Sequence, residues 1–136
     1  MATVFSSHET TGRHILLDVW GVDFQTLNDL TRVRQWMVEA AQASGATIVD
    51  AAFHRFPEQG FSGVLVLAES HISVHTFPEH GYASFDIYTC GDTLDPSVAC
   101  AYLVEKLGTT RYFTRHFVRG MAQGIEERTP TVAMGS

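Results

Sequence analysis

Cysteine is scarce in this chain of 136 residues: only Cys90 and Cys100 are present. Two cysteines cannot build a disulfide framework, and their spacing fits no zinc ligand set, so both are expected as free thiols. Positive charge is short as well. Nine Lys+Arg stand against fifteen Asp+Glu, a formal net charge of -6, which argues against a protein that lives by neutralising phosphates. No nucleic-acid partner is expected. Long apolar runs are missing too: Val64 to Ala68 spans five residues, where a membrane helix needs roughly 20, so no membrane partner is expected either. Met1 to Thr11 is rich in Ser and Thr and lacks the apolar segment of a secretion signal, so the expected compartment is the cytoplasm.

What remains is an ordinary globular composition, with 45% hydrophobic, 18% charged and 11% aromatic residues. At this length it predicts a single domain over residues 1–136. His14 to Trp20 alternates as a strand. A helix follows, with Thr26 and Asp29 in a Thr-x-x-Asp capping pattern, a stripe of Leu27, Leu30, Val33, Met37 and Ala41, and a stop at Gly45. Thr47 to Phe56 and Gly63 to Glu69 read as a hairpin, and Ile72 to Thr76 and Tyr82 to Cys90 as a second strand pair. Asp95 and Pro96 open a second helix that Gly108 closes, and Thr110 to Val118 is a last strand. After Gly120 the pattern dissolves, so 121–136 is expected to be a mobile tail. The order predicts an α+β fold, a two-layer sandwich of antiparallel β-sheet with two helices on one face.

Chemistry concentrates between Leu67 and Gly81, where His71, His75, His80, Ser70, Ser73, Glu69 and Glu79 crowd together. Such residues serve ordinary structural roles in most strands. His71, Ser73 and His75 share one face of an ideal strand, as metal ligands would, but no further strong ligand lies at a suitable spacing and no metal is expected. A third reading is acyl transfer within the backbone. A serine hydroxyl attacks the carbonyl of the residue before it, with an imidazole to move protons, and Glu69, Ser70 and His75 supply that inventory.

Several short motifs occur in one order: Phe53-His54-Arg55-Phe56, Gly60-x-Ser62-Gly63, Glu69-Ser70-His71-x-x-x-His75-Thr76, Phe77-Pro78-Glu79-His80-Gly81-Tyr82-Ala83 and Asp86-x-x-Thr89-Cys90-Gly91. Together they resemble the bacterial and archaeal S-adenosylmethionine decarboxylase proenzymes, over about Gly12 to Gly120. The resemblance implies that Ser70 attacks Glu69 and the chain splits into residues 1–69 and 70–136, with Ser70 becoming a covalent pyruvoyl group, the cofactor. It implies His75 and Ser62 as processing residues and Cys90 as the acid that returns a proton to the substrate carbon. Phe56 and Phe77 are implied beside the adenine, and Glu79 near the ribose hydroxyls. Many members have Trp at position 77 and Tyr at position 80, whereas this chain has Phe77 and His80. The implied assembly is a homodimer with active sites at the interface, and the implied product is the aminopropyl donor of spermidine synthesis.

The chemistry has its own logic. Decarboxylating an amino acid leaves electrons on the α-carbon, and side chains alone offer no sink for them. A ketone joined to the substrate amine does, the role pyridoxal phosphate plays elsewhere. Cys90 shares strand parity with Tyr88 and Asp86, away from Ala83, Phe85 and Ile87, and so is free to face a site. Taken alone it also fits an inert buried thiol. Two alternatives stay open: the same chemistry on ornithine or arginine, and an unprocessed, non-catalytic partner subunit.

Overall fold

Strands that alternate apolar and polar residues keep one face dry and leave the other to be covered or wetted. In the computed structural model, which describes residues 10–68, 70–91 and 94–129, such strands join a single sheet. They are β1 (Gly12–Trp20), β2 (Ile48–Arg55), β3 (Phe61–Leu67), β4 (Ser70–Phe77), β5 (Tyr82–Cys90), β6 (Arg111–Met121) and β7 (Gly124–Arg128). Their order is β2-β3-β4-β5-β1-β6-β7, antiparallel throughout. The two expected strand pairs are thus parts of one sheet, because β3 pairs with β4 and β1 inserts between β5 and β6.

Helices α2 (Leu30–Ala43) and α3 (Pro96–Leu107) pack on each other and on one face, α2 over β2 and β3 and α3 over β1 and β5. This is the expected α+β two-layer sandwich. Ile15, Leu17 and Val19 of β1, Ile72 and Val74 of β4, and Phe85 and Ile87 of β5 meet Val33, Met37 and Leu103 in its core. Burying each larger side chain contributes roughly 1.5–3 kcal/mol. α3 starts and stops as its sequence dictates: the Asp95 carboxylate accepts from Ser97 N at 3.1 Å, Pro96 follows, and Gly108 takes a left-handed φ of 69°.

The first helix differs from its expected form. Asp23, not Thr26, caps a four-residue turn α1 (Phe24–Leu27), and Asp29 then caps α2 by accepting from Arg32 N at 3.1 Å. The break at Asn28 has a physical reason: its side-chain oxygen accepts from Gly60 N at 2.9 Å and its carbonyl from Arg55, which ties the turn after β2 to the helix start. The expected patternless tail also fails in its first part. Residues 121–128 finish β6 and form β7, which pairs with β6 and is joined to it by the Arg115–Glu127 ion pair. β7 is an edge strand with little to bury, so no apolar alternation marks it. Residues 130–136 lie outside the described residues.

The face opposite the helices is open. It carries His14, Asp86, Tyr88, Cys90, Ser62 and His75 beside the large apolar residues Leu16, Val66 and Phe113, which are 42%, 41% and 66% exposed. No helix among the described residues is long and apolar enough to cross a membrane.

Candidate active site

Ser70 is the first residue of β4 and pairs with Leu67, the last of β3, so only Ala68 and Glu69 connect the two strands. Glu69, the expected acyl partner, lies outside the described residues. Ser70 has the parity of Ile72 and Val74, so its side chain lies on the helix face, and there its hydroxyl is buried with no hydrogen-bond partner among the described residues. A buried hydroxyl without a partner is costly to keep. It is also unencumbered as a nucleophile.

Cys90 ends β5 at the same end of the sheet but on the open face, with Asp86 and Tyr88, as its parity predicts. The ring of Tyr88 lies over Gly12, where a Cβ would sit 2.5 Å from the phenol oxygen, and Gly12 is the residue that Cys90 faces across the strands. Burial, and then the neighbouring Cys90 side chain, raise the Tyr88 pKa above its ordinary value. Behind it the Arg119 guanidinium donates to His14 Nδ1 at 3.1 Å, which leaves Nε2–H to donate to Asp86 Oδ1 at 2.8 Å. Ser73 donates to the other Asp86 oxygen at 3.2 Å. His71 packs against His14 and Tyr88, and burial followed by His14 lowers its pKa. Sequence reasoning missed this network, since the cross-strand register that assembles it is not a local signal.

Cys100 sits in the core at 0% exposure, and burial pushes its thiol up to about 12. In the native protein, iodoacetamide should therefore add one carbamidomethyl group, at Cys90, and leave Cys100 unmodified, as peptide mass mapping would reveal. An adduct at Cys100 at comparable rate would contradict that burial.

The other expected site residues lie at the opposite end of the sheet. Ser62 and His75 face each other across β3 and β4, and Ser62 Oγ and His75 Nδ1 share a hydrogen bond of 2.8 Å. Phe77 ends β4, 41% exposed, with its ring stacked on Tyr82 at 5.5 Å. Tyr82 leans on Trp20 at 4.4 Å and donates to Asp18 at 2.9 Å, so the three rings form a shelf that the sequence alone did not reveal. Exposed Glu79 follows in the 3-10 turn Pro78–His80, and Phe56 lies just past β2, against His54. Phe53, by contrast, packs against the core beside Phe61.

The expected site is therefore split. His75 is five residues from Ser70 along one strand, about 17 Å at the usual rise, and on the opposite face. His71, Ser73 and His75 do share the open face, but each has different partners. Among the described residues no group of three or more His, Cys, Asp or Glu is placed to hold a metal.

Comparison with known proteins accounts for the motif set. A family model described as S-adenosylmethionine decarboxylase matches residues 13–120. The S-adenosylmethionine decarboxylase proenzyme of Geobacillus sp. (strain WCH70) is 50% identical over 113 residues, 83% of this chain and 90% of the relative. Proenzyme 2 of Halalkalibacterium halodurans is 49% identical over 113 residues, 83% of this chain and 89% of that relative. Among solved structures, the adenosylmethionine decarboxylase of Aquifex aeolicus VF5 superposes with a TM-score of 0.74 at 34% identity, over 90% of this chain and 98% of the other. With more than half its length matched by the family model and a relative 50% identical over 83% of it, the chain belongs to the S-adenosylmethionine decarboxylase family.

Proposed function

We propose that the chain is made as a proenzyme and cuts itself between Glu69 and Ser70. It then decarboxylates S-adenosylmethionine in the cytoplasm with the pyruvoyl group that Ser70 becomes, giving the aminopropyl donor used in spermidine synthesis. Family membership supports the reaction class. The residues present fit the group: its precursor is a buried hydroxyl without a partner, at a strand start that follows a two-residue connection. A pyruvoyl group supplies a carbonyl that joins the substrate amine and takes up the electrons left by carbon dioxide.

The observation that carries the assembly is the split site. Ser70 and Cys90 lie at one end of the sheet, and Ser62, His75, Phe77 and Glu79 at the other. A two-fold axis lying between two open faces and perpendicular to the strands brings the first end of one copy to the second end of its partner. Each homodimer site then draws on both chains, and the exposed Leu16, Val66 and Phe113 are covered. The Ser70 hydroxyl points to the helix side, so the open side of its Cα is left for the partner's base. His75, held by Ser62, takes the Ser70 α-proton, which lets the ester oxygen leave with the carboxyl group of Glu69. Water then replaces the amine, released as ammonia.

In turnover Cys90 holds the proton that the substrate carbon receives, and the Phe77 ring, backed by Tyr82 and Trp20, offers a face to adenine and to the sulfonium cation. Such contacts contribute roughly 0.5–2 kcal/mol. Phe56 supplies a second ring, and the Glu79 carboxylate accepts from ribose hydroxyls. Carbon dioxide release measured side by side from S-adenosylmethionine, ornithine and arginine tests this substrate. S-adenosylmethionine should turn over fastest, since the other two bring no ring to the shelf. Faster release from ornithine or arginine would refute the substrate while leaving the self-cleavage intact.

A further inference from the structure

On the helix face, directly across from Ser70, lies Thr89 of β5. Its hydroxyl is also buried and also without a partner among the described residues, in a residue only 2% exposed. Two partnerless buried hydroxyls placed opposite one another in a single register are unusual, because each forgoes the hydrogen bond that water would give it. The Cβ atoms of such a cross-strand pair lie about 4.5–5.5 Å apart, so rotation about χ1 brings the two oxygens within hydrogen-bond reach. The next residue in the row, Arg13 of β1, donates to the Leu94 carbonyl instead. The remaining neighbours, Leu67, Ile72 and Ile87, are apolar.

We infer that Thr89 is a positioning residue for self-processing, a role that rests on the cleavage reading above. Thr89 Oγ1 accepts the hydrogen of the Ser70 hydroxyl and fixes its rotamer, which leaves an Oγ lone pair free to add to the carbonyl carbon of Glu69. In that step the Oγ–C bond forms, the C–N bond of the peptide breaks, and the hydroxyl proton ends on the nitrogen of residue 70. The products are an ester and a free amine, with no other reactant consumed. Thr89 carries no charge and takes no proton; it holds a direction. Its neighbour Cys90 faces the other side of the sheet, so consecutive residues of β5 serve different steps.

The inference separates processing from folding. Thr89→Val keeps the shape of the side chain, so the uncut chain should still fold and melt cooperatively. The conversion of freshly synthesised full-length chain into two fragments, followed by denaturing mass spectrometry, should slow roughly tenfold to a hundredfold. Thr89→Ser keeps the hydroxyl and should cleave at close to the wild-type rate. Thr89→Ala set against Thr89→Ser repeats the comparison with the methyl absent from both, should the valine variant fold poorly. A Thr89→Val or Thr89→Ala chain that cleaves as fast as its hydroxyl-bearing counterpart would overturn the role of Thr89, as would a Thr89→Ser chain as slow as either. Wild-type chain that never splits would instead overturn the cleavage reading itself.

Discussion

Ser70→Ala should remain a single uncut chain and release no carbon dioxide, because the hydroxyl is the only source of both the ester and the carbonyl that follows it. Intact mass under denaturing conditions reads this directly, and a Ser70→Ala protein that still splits would refute self-processing by this residue. His75→Ala alone should cleave about 10²–10⁴-fold more slowly for want of a proton acceptor. The mixed dimer separates the two chains' duties. A Ser70→Ala chain co-expressed with a His75→Ala chain forms dimers in which the intact Ser70 of one faces the intact His75 of the other, so the His75→Ala chain should be cut in the mixture and not by itself. Failure to rescue would place His75 and Ser70 of one chain in one site, against the about 17 Å that five strand residues impose.

Cys90→Ala should leave cleavage largely normal and lower turnover by about 10²–10⁴-fold, the usual worth of a positioned proton donor. The split between the two readouts matters, since a misfolded variant would lose both. A proton that does not reach the substrate carbon reaches the chain's own terminus instead; water then releases the decarboxylated substrate as an aldehyde and its amine stays behind, so the inactivated fragment should begin with alanine, visible by mass. Undiminished turnover without that product would move the proton to another group. Tyr88, which shares the open face of β5 with Cys90, is then the next to test.

The local half of this molecule was legible in its residues. Alternation through Ile15, Leu17 and Val19 and through Ala83, Phe85 and Ile87 marked the dry face correctly, and the same parity put Cys90 on the open one. Asp95, Pro96 and Gly108 marked both ends of α3, because capping is decided by neighbours in sequence. Register was not legible. Nothing local says that Ser70 meets Thr89, that His14 meets Tyr88, or that His75 meets Ser62, and these pairings decide what each side chain can touch. Asp29 illustrates a subtler limit: it is a cap, but of its own helix rather than the partner of Thr26 in a capping box, because Asn28 is engaged by Arg55 and Gly60. β7 escaped notice because an exposed edge strand needs no apolar face.

The tight link between β3 and β4 has a consequence for the life of the protein. While it is whole, Leu67 and Ser70 are neighbours in a hairpin, and two interior strands of the sheet find each other at little entropic cost. If it is cut as proposed, the same pairing joins two molecules and must be found by diffusion, at the far lower concentration of free fragments. The sheet would then assemble easily only before the proposed cleavage. On the proposed cleavage, folding and maturation would run in one direction, and the cut protein would persist through slow unfolding rather than through an equilibrium it can re-enter.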